Sequence, residues 1–308
     1  MQMSYKKLNR ESLIIVTQKH IFIFGLGYVG TALADRLAAE GWHITGTTRD
    51  PSAHKRAGEA QWTLLPFGSN GAIDGLDSHL QKCNVILSTI APQDKQDPVL
   101  RYHRDLLRIW SKQKSVWSGY ISATSVYADE IDDWVDENTP PAPATERGRV
   151  RVATELDWQN STNAEIFRVA GIYGPGRSAF TALRENRARI IDKSDHLFNR
   201  IHLDDIAGGI LAAMATPEPC RIVNLTDKEP AKQGDVVRYA ADLLGMAPPP
   251  TIPYEEADLT PMARSFYKSR RKLRSVRLES ELGYRLKYPN YRKGLEAVLK
   301  ADKKAEIK

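Results

Sequence analysis

Gly25, Gly27 and Gly30, in the stretch GLGYVG, stand at the spacing G-x-G-x-x-G. Glycines so placed allow a tight turn, a close backbone approach and a helix packed hard on a strand, which together cradle a phosphate group. A second set is RGRVR, where Arg147 and Arg151 are four apart with Arg149 between them. On a helix that spacing puts both guanidiniums on one face, suited either to clamping an anion or simply to meeting water. Arg49 follows the threonine pair Thr47–Thr48 and precedes Asp50.

The glycines act only if a strand leads into them and a helix leads out. IFIF (21–24) is a short continuous apolar run, the pattern of a strand buried on both faces of a parallel sheet. Val29, Ala32, Leu33, Ala34, Leu37 and Ala38 recur at helical spacing up to Gly41, and WHITGTT (42–48) reads as a second strand. This βαβ unit predicts dinucleotide binding. The pyrophosphate lies at the helix N-terminus by Gly27, Tyr28 and Val29, with Thr48 and Thr89 at neighbouring strand ends. Arg49 at the end of the second strand suits a 2′-phosphate and favours NADP. NAD remains open, with Asp50 as the alternative ribose ligand.

Further strands are expected at 61–67 and 84–91, within 115–127, at the start of 164–174 and at 221–227. Helices are expected at 98–113, at 146–159, from Asp204–Asp205 (as its caps) to Met214, and at 234–245. Alternation of this kind gives an α/β fold, a Rossmann-type doubly wound parallel sheet with a smaller, interleaved C-terminal substrate lobe. Residues 1–18 read as a flexible N-terminal extension, 19–175 as the dinucleotide-binding domain and 176–308 as the lobe.

The net charge is +6 over 308 residues. Residues 1–20 carry +3 and residues 262–308 carry +10, so the body between them is acidic at −7. The densest basic segment, KSRRKLRSVR (268–277), lies in no nucleic-acid-binding module and reads as solvated or intramolecular. No nucleic-acid partner is expected. Cys83 and Cys220 form neither a disulfide framework nor a metal site. No apolar run reaches the roughly 18–20 residues that span a bilayer, so a cytoplasmic protein without membrane contact is expected.

Four segments carry a family resemblance. YISATSVYAD (120–129), FRVAGIYGPGR (167–177), RIHLDDIAGGI (200–210) and LESELGY (278–284) follow one another as do the motifs of extended short-chain dehydrogenase/reductases, the epimerase/dehydratase-like enzymes. The resemblance covers about residues 19–298 and fits an atypical bacterial group described as YeeZ-like. GLGYVG also occurs in nucleotide-sugar 6-dehydrogenases, but those are longer and use a catalytic cysteine, and neither cysteine here sits in such a motif. The resemblance implies a nicotinamide cofactor and a small-molecule substrate. It also implies a homodimer through helices 98–113 and 146–159, with Tyr102, Ile109 and Trp110 as contacts.

It further implies a Ser/Thr-Tyr-Lys set, which this chain lacks. In ungapped register Ala123 holds the Ser/Thr place, Arg147 the tyrosine and Arg151 the lysine. Arginine stays protonated and does not act as a general acid or base. The replacement catalytic candidates are Ser122, Thr124 and Tyr127. Arg151 is then expected at the cofactor, and Arg147, Tyr173 and His202 at an anionic substrate. His202 is the one side chain near these motifs that ordinarily titrates near neutrality. Two readings stay open: an oxidoreductase or epimerase-like enzyme with a rearranged site, or a dinucleotide-binding sensor, regulator or structural subunit without turnover.

Overall fold

The computed structural model describes residues 19–68, 71–113, 115–129, 133–193 and 196–306, and the expected extension lies outside them. The expected βαβ unit is present as β1 (His20–Phe24), α1 (Tyr28–Ala39) and β2 (His43–Thr48). In β1 the pleat sends Ile21 and Ile23 into the core under α1, and Phe22 and Phe24 into the core on the other face. Burial on both faces is why residues 21–24 of this strand are all apolar.

Five further strands complete a parallel sheet: β3 (Trp62–Pro66), β4 (Val85–Ser88), β5 (Trp117–Ala123), β7 (Glu165–Val169) and β11 (Ile222–Leu225). The order is β11-β7-β5-β4-β1-β2-β3, with every neighbouring pair parallel. The direction of winding reverses between β1 and β4. A ligand crevice opens at such a switch point, outside the carboxyl ends of the strands.

Several helices begin where the sequence supplies a side-chain cap. In α3 (Pro98–Trp110) the Asp97 carboxylate accepts from the Leu100 N–H at 2.9 Å, and proline fills the first helical position. In α4 (Glu146–Thr162) the Thr145 hydroxyl accepts from the Gly148 N–H at 3.1 Å. A short α2 (Leu76–Leu80), not expected from the sequence, precedes β4. The cap of α6 (Leu203–Ala215) corrects the expectation. His202 supplies it through Nδ1, because Asp204 turns to Arg36 at 2.5 Å and Asp205 is buried, accepting from the Tyr284 hydroxyl.

The lobe combines two longer helices, one of which answers the helix expected at 234–245, with pieces too short to show a period. α5 (Ala179–Arg184), α7 (Gln233–Leu244) and α10 (Tyr291–Glu306) share a core of Phe180, Leu183, Val236, Val237, Tyr291 and Leu295. Three parallel two-strand pairs stitch the chain together: β6 (Trp134–Val135) with β13 (Lys272–Leu273), β8 (Gly171–Tyr173) with β10 (Arg200–His202), and β9 (Ile190–Asp192) with β12 (Thr251–Pro253). The helices α8 (Pro261–Phe266) and α9 (Arg277–Ser280) complete the C-terminal part. Because β11 extends the main sheet, the later chain is woven into the earlier one.

The basic segment is intramolecular. Arg271 reaches the carboxylate of Asp129 at 2.5 Å, Arg274 that of Asp136 at 2.8 Å, and Arg277 the Ile222 carbonyl at 3.1 Å. Its acidic counterpart is the stretch just after β5. No helix among the described residues is long and apolar enough to cross a membrane.

Candidate functional site

The glycine loop closes over the switch point. Gly25 has φ +93°, and a Cβ there would lie 2.7 Å from the Thr89 hydroxyl. Its N–H donates to Thr47 Oγ1 at 2.8 Å and its carbonyl accepts from Thr89 Oγ1 at 2.6 Å, so the loop is tied to the ends of β2 and β4 together. A Cβ on Gly30 would sit 2.2 Å from the Gly25 carbonyl oxygen, so only glycine lets α1 start this close to the loop. Gly27 differs: nothing lies within 4 Å of where its Cβ would be. Gly27 caps α1 without a side-chain bond, Tyr28 and Val29 open the helix, and its first turn holds no acid. Open space beside an uncapped helix N-terminus fits a pyrophosphate. The residues present therefore suit a dinucleotide.

At the end of β2 the half-buried Thr48 leads into an exposed Arg49 that has no hydrogen bond and no ion pair. Asp50 is engaged locally, its Oδ1 accepting from the Ser52 hydroxyl at 2.6 Å and from the N–H groups of Ser52 and Ala53. These bonds, the Ser52 hydroxyl foremost, hold its pKa below the usual carboxylate value.

At β5 the candidate hydroxyls separate. Ser122 is buried and donates to Glu155 Oε1 at 2.6 Å. Glu155 pairs with Arg168 at 2.8 Å, Arg168 Nη1 donates to the Tyr127 hydroxyl at 3.0 Å, and Tyr127 donates to Asn224 at 2.8 Å. Tyr127 is fully buried, and burial raises its pKa. Both hydroxyls are thus consumed by a core network that joins β5, α4, β7 and β11, and neither is free to meet a ligand. Thr124 is different: partly exposed at the β5 end, its hydroxyl has no protein partner.

The two arginines do not form a matched pair. Arg147, in the first turn of α4, is exposed and unpaired. Arg151 is buried, its Nη1 donating to the Tyr120 hydroxyl at 2.9 Å and the Ile121 carbonyl at 3.1 Å. Arg149 pairs with Glu146 on the surface. His202 is buried, its Nδ1 capping α6 and its ring 4.2 Å from that of Tyr288. Burial lowers its pKa, outweighing Asp204 and Asp205. A neutral, capping imidazole is not placed to donate a proton near neutrality.

Sequence reading missed a cavity of about 530 Å³ between the turn after β8, α5, α7 and α10. Tyr173, Gln233 and Tyr291 line it with four arginines, Arg177, Arg187, Arg189 and Arg200, and no acid is among its lining residues. Arg200 Nη1 is held by the Phe198 and Ala231 carbonyls, both at 2.9 Å. The one signal in the sequence was the run of arginines around 184–189. The cavity adjoins the glycine loop: the Tyr28 hydroxyl donates to the Pro175 carbonyl at 2.9 Å, and the next two residues, Gly176 and Arg177, line the cavity.

Residues 21–225 match the model of the NAD dependent epimerase/dehydratase family. Protein YeeZ of Escherichia coli (strain K12) is 31% identical over 243 residues, covering 75% of this chain and 86% of YeeZ. The structure of a functionally unknown conserved protein from Silicibacter pomeroyi superposes with a TM-score of 0.83 at 40% identity, covering 92% of this chain and 99% of that one. A human epimerase family protein, SDR39U1, whose crystal structure holds NADPH, shares the fold at 16% identity with a TM-score of 0.70, covering 91% of this chain and 99% of its own.

Proposed function

Since the chain belongs to the NAD dependent epimerase/dehydratase family, as an atypical short-chain dehydrogenase/reductase of the YeeZ group, we propose that it is an NADP-dependent oxidoreductase or epimerase-like enzyme acting on a small anionic substrate. The observation that carries this reading is the wall shared by the glycine loop and the arginine-lined cavity. A dinucleotide held at α1 leads toward a cavity whose charge suits a carboxylate or phosphate. The NADPH in the human relative accords with the cofactor class. Bound there, the nicotinamide supplies hydride chemistry.

Within this chain, Gly27 and the start of α1 receive the pyrophosphate, and the unpaired Arg49 receives the 2′-phosphate while Asp50 stays in its own turn. The arginines of the cavity orient the substrate. Thr124 is the candidate hydroxyl for contact with the reacting oxygen, because Ser122 and Tyr127 are engaged elsewhere. Thr124 would hydrogen-bond that oxygen, and a guanidinium such as that of Arg147 or Arg151 is not a practical general acid or base. The exposed Ile109 and Leu156, on the adjacent helices α3 and α4, support a homodimer. Of the contacts expected for it, Trp110 is withdrawn, being buried in the core.

One observation favours a second reading, a dinucleotide-binding protein without turnover: among the described residues, the free side chains at the end of β5 include none that ordinarily titrates near neutrality. Calorimetry decides the cofactor. Arg49→Ala is expected to weaken NADPH by about 1.5–3 kcal/mol, the scale of a hydrogen bond to a charged group, with little change for NADH. Equal losses return Arg49 to the solvent. Turnover is tested by following NADPH oxidation with 2-oxo acids, NADP reduction with nucleotide sugars, and conversion of the sugar itself by chromatography, comparing the unaltered protein with Thr124→Ala. Tight NADPH binding with neither a redox change nor sugar conversion in any arm would favour the second reading.

A further inference from the structure

The turn at 174–177 is fastened to the glycine loop. Gly174 and Arg177 exchange backbone hydrogen bonds at 3.0 Å in both directions. A Cβ on Gly174 would come within 2.6 Å of the Tyr28 hydroxyl, so the turn rests directly on that side chain, which is bonded to Pro175. Burial pushes the Tyr28 phenol up to about 12, so it stays a neutral donor. Above its ring lies the Arg177 guanidinium, 5.7 Å from the centroid. Arg177 is exposed, with no hydrogen bond from its side chain and no ion pair.

The charges near the loop are unequal. A helix N-terminus offers about half a positive charge, against the two negative charges of a pyrophosphate. The other cations close to α1 are committed. Arg36 pairs with Asp204, Lys55 and Arg56 with Asp35, and Arg56 also with Glu59. Arg49 stands at the far side, at the end of β2. Among the described residues around the glycine loop, Arg177 and Arg49 are the cations that remain unpaired, and of the two it is Arg177 that stands on the residue directly after Gly27.

We propose that Arg177 is a clamp for the cofactor's pyrophosphate, swinging from the face of Tyr28 to the open space beside Gly27. The proposal rests on the cofactor reading above and adds a ligand from the lobe to a site otherwise built by the sheet domain. An aromatic face holds an exposed guanidinium only weakly. A doubly charged phosphate pair, offering paired oxygens to a planar fork, competes successfully for it. Arg177 also lines the arginine-rich cavity, so the same side chain would stand between the two ligands.

The test is calorimetric titration of the full chain with NADPH and with NADH. Arg177→Ala is expected to weaken both dinucleotides by about tenfold or more, because the pyrophosphate is common to them. Arg177→Lys should recover part of the loss. Arg285→Ala, which removes an equal charge from a side chain 87% exposed and paired with Glu279, should change neither. Melting of the ligand-free Arg177→Ala protein at the temperature of the unaltered one confirms that the turn persists. Unchanged affinity in Arg177→Ala, a loss confined to NADPH, or the same loss in Arg285→Ala overturns the clamp. If the unaltered protein binds neither dinucleotide, the cofactor reading itself falls and the clamp with it.

Discussion

Gly27→Asp separates stability from binding in opposite directions. The backbone at Gly27 has φ −83° and ψ −157°, an extended conformation open to any residue, and its Cβ would meet no atom within 4 Å. Aspartate is a favoured N-cap, and a carboxylate suits the positive end of the helix. The ligand-free protein should therefore gain a few tenths of a kcal/mol, up to about 1. The same carboxylate occupies the place of the pyrophosphate. At a separation of about 5 Å and an effective dielectric of about 20, one charge pair repels by roughly 3 kcal/mol. Affinity should fall by on the order of a hundredfold or more. The assay is a thermal melt with and without saturating NADPH, supported by calorimetry. The unaltered protein should gain about 2.7 kcal/mol at a hundred times its Kd, while Gly27→Asp should melt at the same or a slightly higher temperature alone and gain almost nothing from ligand. A variant that binds NADPH as well as the parent would refute the placement of the pyrophosphate at this helix.

Arg168→Met strands the buried Glu155 charge and should cost about 3–5 kcal/mol in urea unfolding, most of it recovered by adding Glu155→Leu; a near-silent single variant would show that the network is not closed. Burial pushes the Asp227 carboxyl up to about 8, and its Oδ2 has no partner. The folded state therefore holds a proton that the unfolded chain releases in the ordinary carboxylate range, and stability should decline as pH rises from that range to about 8. Asp227→Asn should flatten this decline in denaturation measured across that window, whereas identical slopes would discard it. Ile109→Glu with Leu156→Glu should turn a dimer into a monomer in sedimentation equilibrium, and a parent that is already monomeric at micromolar concentration excludes the proposed assembly.

What the sequence determined by itself was local or periodic. The run IFIF, the glycines at 25, 27 and 30 and the helical spacing through Ala38 lie within one βαβ unit, where spacing alone dictates direction and burial. The family motifs placed β5, β7 and α6 for the same reason. The fate of the candidate side chains was decided elsewhere. Ser122 and Tyr127 lie in a recognisable motif, yet their partners, Glu155, Arg168 and Asn224, are 33 to 97 positions away. No local pattern reveals which of several neighbouring hydroxyls a distant charge will claim. Arg147 and Arg151 share a spacing, but the packing of α4 on β5 buries one and leaves the other in water. The arginine-lined cavity joins segments from residue 172 to residue 295 that meet only in the closed fold. Arg271 and Arg274 of the basic segment pair with acids more than a hundred positions earlier. Hydrogen bonding and charge pairing act through space at a few ångströms, so only the closed fold determines which of these groups remain free to bind.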